Sequence, residues 1–373
     1  MPSSSLSSSA IFFSVTLDDG TTVPYIRRGL RQEDGDELRR WAEFCASVFA
    51  DKNPPPPASY FERHYKNDPL ARLDWIRVVL WNDQIVSSCR IFHREVSLGC
   101  ATSIADSTSC VHAGGIGEVC TSKQHRHRGL SKLLLQDSLS IMKSHGFVLS
   151  LLHAAPEFFP VYERGGGYSS TKSEWSLARI HIDSLKNHQS SNDVLSSGFI
   201  RLAEFPYDTT RLQVLHQEYS ERNFIGCILR SEAYWNQFIS KELEGTLFVF
   251  EKDKTVVAWM SLRQRGDYIQ LREFGHDKEL NSHERDLVIA KLLWHCLGEL
   301  QGLPIHNNIL GLKLPTFLLC DIGDTACPYV QSFCAENDHG WMYVTLQHEG
   351  DDVVDMVKLS QSKPHLIWPS DSF

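Results

Sequence analysis

The chain has 373 residues, 42% of them apolar and 22% charged, with a formal net charge of −9. That length allows two sizeable cores, and no run approaches the roughly 20 apolar residues that span a bilayer. The acidic balance argues against a nucleic-acid binder that depends on phosphate neutralisation and suits a small cationic partner.

Residues 1–11 are mostly serine and read as a disordered N-terminus. Arginine is absent before Arg27, and Asp18 and Asp19 come early, against the pattern of a transit peptide. Segments 12–17 and 21–27 read as strands joined by the Asp18-Asp19-Gly20 turn. Leu38, Trp41, Ala42, Cys45 and Val48 recur at helical spacing and predict a helix over 34–49. The prolines at 54–57 stop it, and a short helix is expected at 59–64. Segments 75–81 and 85–95 read as a hairpin across Asn82-Asp83, and 111–120 as another strand. A helix follows over 130–143, then a strand at 147–153, a short helix at 156–164 and a final strand at 168–180.

The Ser- and Asn-rich stretch 184–197 marks a linker. Beyond it a similar order begins again: a strand at 199–205, helices at 209–219 and 232–243, strands at 247–252, 255–263 and 268–274, and a helix at 284–300. This repeats element order without matching residues. The plan is a first α/β unit over 12–183, a second over 198–308, and an extension over 309–373 that completes the second, with strands expected at 341–346 and 353–359.

The ten cysteines are scattered and none shows C-x-x-C spacing, so no metal is expected. A reducing, cytoplasmic compartment is the natural reading.

The informative stretch runs from Val119-Cys120-Thr121 through Gln124-His125-Arg126-His127-Arg128-Gly129-Leu130-Ser131 into the long helix. A strand that turns into a helix aims unpaired N–H groups outward, and the helix dipole draws a phosphate or pyrophosphate to them. Gly129 allows close backbone approach, and Arg126 and Arg128 add positive charge. This run resembles the acetyl-coenzyme A signature of the GNAT superfamily, Q/R-x-x-G-x-G/A, with Arg126, Gly129 and Ser131 at the three positions; Ser131 departs from the usual Gly or Ala. The run Phe158-Phe159-Pro160-Val161-Tyr162-Glu163-Arg164-Gly165-Gly166-Gly167-Tyr168 is similar to that superfamily's second signature, F-Y-x-x-x-G-F.

The resemblance implies an α/β (α+β) GNAT fold, a mixed central sheet with flanking helices, over residues 12–183. It implies acetyl-CoA as cosubstrate, held by Val119, Cys120, Thr121, Gln124, Arg126, His127, Arg128, Gly129, Leu130 and Ser131. It implies Tyr162 as the acid that protonates the departing thiolate, a group the chemistry demands. The backbone of 119–121 would pair with the pantetheine arm as another strand, and Cys120 would pack rather than attack. Glu118 is a candidate base, although alternation leaves open which face of the strand lines the cleft; His153 and Glu157 are further candidates.

The second unit has no comparable arginine–glycine turn and is not expected to bind coenzyme A. A functional half joined to a degenerate one resembles the mycobacterial enhanced-intracellular-survival acetyltransferases and the fungal lysine N-acetyltransferases. In the mycobacterial group a C-terminal aromatic carboxylate serves as base, which implies that role for Phe373; the apolar, Pro-punctuated run before it is not the composition of a free end. The expectation is direct acetyl transfer to a small cationic amine such as lysine, a polyamine or an aminoglycoside, by a monomer without nucleic-acid or membrane partners. The alternatives are a protein lysine or N-terminal acetyltransferase and an acyl-CoA-binding pseudoenzyme.

Overall fold

The computed structural model describes residues 10–52, 54–99, 110–190, 198–321, 329–346 and 354–371. Residues 1–9 of the disordered start expected over 1–11, part of the linker (191–197) and Phe373 lie outside the described residues, whereas Ile11 already belongs to the first strand.

Chain order begins β1 (Ile11–Thr16), β2 (Thr22–Gly29), α1 (Glu37–Val48), α2 (Ala58–Asn67), β3 (Ile76–Trp81) and β4 (Gln84–Ser97). It continues β5 (Cys110–Thr121), α3 (Leu130–Ser144), β6 (Leu149–His153), α4 (Phe159–Gly166) and β7 (Ser169–Ser173). Asn82 and Asp83 both adopt positive φ, the backbone that a two-residue hairpin turn demands. Trp41, Ala42 and Cys45 are the buried stripe of α1. Then come β8 (Trp175–His181), α5 (Ile182–Ser190), β9 (Gly198–Leu202), α6 (Thr209–Asn223), β10 (Ile228–Leu229), β11 (Leu247–Lys252), β12 (Thr255–Arg265) and β13 (Tyr268–His276). A long helix, Ser282–Gly298, precedes β14 (Ile309–Pro315), β15 (Val330–Ala335) and β16 (Asp338–Thr345).

These strands make two mixed sheets. The first has the order β1-β2-β3-β4-β5-β6-β16-β7, with β10 added beside β4; the second runs β15-β8-β14-β13-β12-β11-β9. On one face of the first sheet, α3 and α4 pack over Val79, Ile91, Ile116, Leu152 and Met342. On the other, α1 and α2 cover Ile76, Val78, Leu80 and Cys120.

Four features depart from the sequence expectation. The strand expected at 168–180 is two: β7 stays in the first sheet, and after Glu174 the chain crosses so that β8 pairs with β14 and β15 in the second. The extension over 309–373 does not serve the second unit alone, because β16 returns to the first sheet and fills the slot between β6 and β7. Strand alternation records that one face is buried, not which neighbour supplies the hydrogen bonds. The first half of the expected linker is the helix α5, and the strand expected at 353–359 contains a helical turn, Met356–Leu359, whose Asp355 side chain accepts the Lys358 N–H.

The C-terminal segment is a structural member. Its Leu366 N–H donates to the Ile225 carbonyl, and His365, Leu366, Ile367, Trp368, Ser370 and Asp371 are buried. Asp371 and Glu273 clasp Arg230, at 2.7 and 2.5 Å, with all three side chains fully out of solvent. No helix among the described residues is long and apolar enough to cross a membrane.

Candidate acyl-coenzyme A site

The site begins with an irregularity in β5. Ser88 faces Cys120 and Arg90 faces Gly117, so β5 carries one residue more than β4 between these pairs. The bulge residue is Glu118, at φ +53°. A bulge bends its strand and raises its local twist. Just before it, the parallel pairing of β5 with β6 ends at Ile116–Leu152, while β5 remains paired to β4 as far as Thr121. The two strands part, and no described strand covers the β6-side edge of residues 117–121. An open edge of this kind accepts an extended ligand through main-chain hydrogen bonds.

The wedge leads to the turn that enters α3. Lys123–His125 form one turn of 3₁₀ helix, then His127 and Gly129 both take left-handed φ, +63° and +73°. Alternating left-handed residues make successive N–H groups converge into an anion-binding hollow. Gly129 is the N-cap of α3, which has no side-chain cap, and a Cβ built on Gly129 meets nothing within 4 Å. The first turn of α3 is thus open to an anion.

The arginines divide the work. Arg128 Nη1 donates to the Tyr25 hydroxyl at 2.6 Å and Nη2 to the Gln124 carbonyl at 2.8 Å; it braces the turn from beneath. The Tyr25 hydroxyl and His125 Nδ1 are also in hydrogen-bond contact, at 3.0 Å. Arg126 is exposed, with Nε on the Thr121 carbonyl at 3.2 Å, and its guanidinium end is available to a phosphate. His127 and Gln124 are exposed, Ser131 is half-buried, and Leu130 is buried under α3. Of the strand residues, Val119 packs towards α3, Thr121 Oγ1 meets Ser87 Oγ at 2.8 Å, and Cys120 packs its thiol 3.9 Å from that of Cys45. Cys120 is therefore committed to the α1 side of the sheet.

Tyr162 lies on α4, half-buried against the α3 cluster, its ring edge-on to Tyr168 at 6.2 Å. Its hydroxyl makes no hydrogen bond among the described residues, whereas that of Tyr168 is occupied by Ser150 at 2.6 Å. Burial raises the Tyr162 phenol well above its ordinary range, with Cys89 adding to the shift. The phenol is held protonated.

Glu118 points to the opposite face. One carboxylate oxygen sits 3.4 Å from Arg90 Nη1, the side chain is 7% exposed, and its second oxygen has no partner. Burial raises its pKa, opposed by Arg90 and His64. Arg90 stacks over Phe92 and Tyr65 of α2, which fixes Glu118 on the α1–α2 side together with Cys120. The second unit closes this side: His64 of α2 stacks on Tyr60, abuts Phe238 at 5.2 Å and reaches Glu242 at 3.4 Å.

The segment from 30 to 170 matches the model of the acetyltransferase (GNAT) domain family. This segment is a GNAT domain. Over the whole chain, the fold is similar to a probable N-acyltransferase of unknown function from Enterococcus faecalis V583, with a TM-score of 0.61 at 14% identity over 87% of this chain and 72% of that one. It is similar to Eis1 from Mycobacterium abscessus, at a TM-score of 0.51 and 13% identity over 86% and 74%. It is also similar to Saccharomyces cerevisiae N-myristoyltransferase with bound myristoyl-CoA, at 0.53 and 11% over 90% and 83%. Comparison with curated proteins gives no match in sequence. At such identities the likeness is one of fold, and it extends through both sheets.

The GNAT domain brings the wedge, the 124–131 turn and Tyr162 to one end of the first sheet, with Glu118 on its far face. Sequence reasoning missed Glu242 and Asp338, which reach the domain from the second unit and from β16. Their separation along the chain left no local signal.

Proposed function

We propose that the protein is an acyl-CoA-dependent N-acyltransferase that moves an acetyl group from acetyl-CoA to the primary amine of a small cationic molecule. The observation that carries this reading is the open β5 edge running into an uncapped helix N-terminus. Val119, Cys120 and Thr121 offer main-chain groups to an extended pantetheine arm, and the first turn of α3 with Arg126 offers donors to a pyrophosphate. The fit is supported by the empty space over Gly129.

The chain's residues then have distinct tasks. A β5 N–H polarises the thioester carbonyl. Tyr162, protonated and on the α4 side, gives its proton to sulfur as the C–S bond breaks. Glu118, buried on the α1–α2 side beside Arg90, adds negative charge to the side from which a cationic acceptor approaches. Phe238 and Glu242 standing over α2 favour a small acceptor over an extended peptide, and the net charge of −9 favours a cationic one.

The test couples thiol release to calorimetry. Acetyl-CoA is supplied with lysine, spermidine, an aminoglycoside and a lysine-bearing peptide, and longer acyl-CoAs are compared. Amine-dependent thiol release is expected. Tyr162→Phe should lower kcat by about 10²–10⁴-fold while coenzyme A binds with unchanged Kd. Binding without turnover of any amine would point to an acyl-CoA sensor, and absence of binding would remove the site.

A further inference from the structure

At the point where β5 and β6 part, β6 ends in a histidine that the 124–131 turn and Tyr162 do not involve. His153 is the first residue beyond the last β5–β6 pair. Its Nε2 lies 3.0 and 2.9 Å from the two oxygens of Asp338, which opens β16. Both side chains reach solvent, at 42% and 30% exposure. The arrangement is braced on each side. Asp338 Oδ1 also accepts the Gly340 N–H at 2.8 Å, and the Ala154 N–H donates to the Gly340 carbonyl. The imidazole lies so closely over Gly340 that a Cβ there would sit 2.6 Å from Nε2. Trp341 meets the ring edge-on at 5.0 Å.

The alternation of β6 gives the direction. Ser150 and Leu152 face α3, through Tyr168 and the α3 cluster. Leu149 and Leu151 pack on the opposite side with Trp341 and Tyr343, and His153 continues that series. Glu118 lies on the same side of the sheet, fixed there by Arg90. One polar side chain from each parting strand therefore looks out on the face away from Tyr162. That division suits acyl transfer, because the incoming ammonium must lose its first proton before it attacks while the leaving sulfur is protonated from the other side.

We propose that His153, oriented by Asp338, is the base that takes a proton from the acceptor's ammonium, which makes the preferred acceptor a primary alkylammonium. The inference rests on the acyltransferase reading above. With Nε2–H donated to the carboxylate, Nδ1 carries the lone pair, and it meets no partner among the described residues. Aspartate in this position fixes the tautomer and steadies the imidazolium that forms. Glu118, 7% exposed, has no comparable route for a proton to bulk water; the half-exposed His153 has one.

The balance is complete. The ammonium gives one proton to Nδ1, and the freed lone pair forms the C–N bond as the C–S bond breaks. Tyr162 supplies the proton that sulfur takes, and the second nitrogen proton restores the phenol. His153 releases its proton to water, so each turnover yields amide, free thiol and one proton. The charged groups that bear on the dyad are Asp338 itself and, acting on Asp338, Lys313 of β14 and His365 of the C-terminal segment.

The test measures kcat and KM from pH 5.5 to 9.5 for the unmodified protein, His153→Gln and Asp338→Asn, with the most active amine of the panel at saturating acetyl-CoA. Coenzyme A affinity is taken by calorimetry, and the thermal midpoint confirms folding. His153→Gln should lower kcat at neutral pH by about 10²–10³-fold, leave coenzyme A affinity unchanged, and recover as pH rises and the amine deprotonates unaided. Asp338→Asn should lower kcat at neutral pH with coenzyme A affinity unchanged, and the loss should likewise shrink as pH rises. An unchanged pH profile and kcat within twofold in His153→Gln would overturn the assignment, leaving the acyltransferase itself standing. Failure of the unmodified protein to turn over any amine removes both together, and the two failures are told apart by that control.

Discussion

Gly129 holds a backbone conformation that costs an L-residue about 1–2 kcal/mol, and it does so where nothing else occupies the space a side chain would fill. Folding alone therefore gives a bulkier residue no clash to avoid. Gly129→Ala should lower the thermal midpoint only slightly yet weaken coenzyme A binding at least tenfold, because the added methyl stands over the first-turn N–H groups of α3. Calorimetric titration reads this directly; an unchanged Kd would mean that no phosphate comes to this turn. The turn was legible in the sequence because its chemistry is local: a small residue, flanking arginines and a helix start lie within eight positions. Glu118 was legible only as a candidate. The bulge that turns it away from α3 depends on a register shift against β4, which alternation in a single strand cannot reveal.

Among the elements, β16 and the C-terminal segment are joined by one histidine. His365 places Nδ1 2.7 Å from Ser173 Oγ and Nε2 2.7 Å from Tyr343 OH. It thereby ties the segment to the last residue of β7 and to β16. Gly226, at φ +86°, passes beneath it so closely that a Cβ would lie 2.6 Å from the ring. Burial pushes the His365 pKa down to about 4, with Asp338 opposing, against an ordinary value near 6.5 in the unfolded chain. The folded state therefore keeps the ring neutral while the unfolded state protonates first. The stability it contributes is present above about pH 6.5 and is lost as pH falls towards 4, by up to about 3 kcal/mol. His216, buried and likewise depressed, adds in the same direction. Denaturant titrations from pH 7.5 to 4.5 should show this slope, and His365→Gln should be less stable at pH 7.5 but flatter with pH. Equal slopes would show that His365 does not titrate on unfolding. Period and turn chemistry revealed most strands and helices near their observed ends, α3 and the hairpin β3–β4 among them. They could not reveal that the polar run around Glu174 crosses between sheets, since β7 and β8 carry no local mark of having different partners.

At the scale of the whole molecule, two sheets of this size would ordinarily belong to separable domains joined by a linker. Here the chain trades strands between them. β8 leaves the first unit for the second, where it is paired on both edges by β14 and β15. β16 makes the return journey and holds β6 and β7 apart. The C-terminal segment then buries Asp371 against Arg230, which Glu273 also holds, so this set of three charges is complete only when the chain's last described residues are in place. Breaking such a buried set by losing one partner costs about 3–5 kcal/mol. Neither unit can reach its own fold from its own contiguous sequence, and the proposed dyad of His153 and Asp338 exists only after the exchange. Calorimetry should therefore record one cooperative transition, with calorimetric and van't Hoff enthalpies in agreement. A fragment of residues 1–190, although it contains the complete 30–170 family segment, should show neither sharp melting nor coenzyme A binding, because β6 and β7 would face an empty slot. Two resolved transitions, or a fragment that binds coenzyme A with the affinity of the full chain, would show that the exchange is packing laid over an independent domain rather than part of how that domain folds.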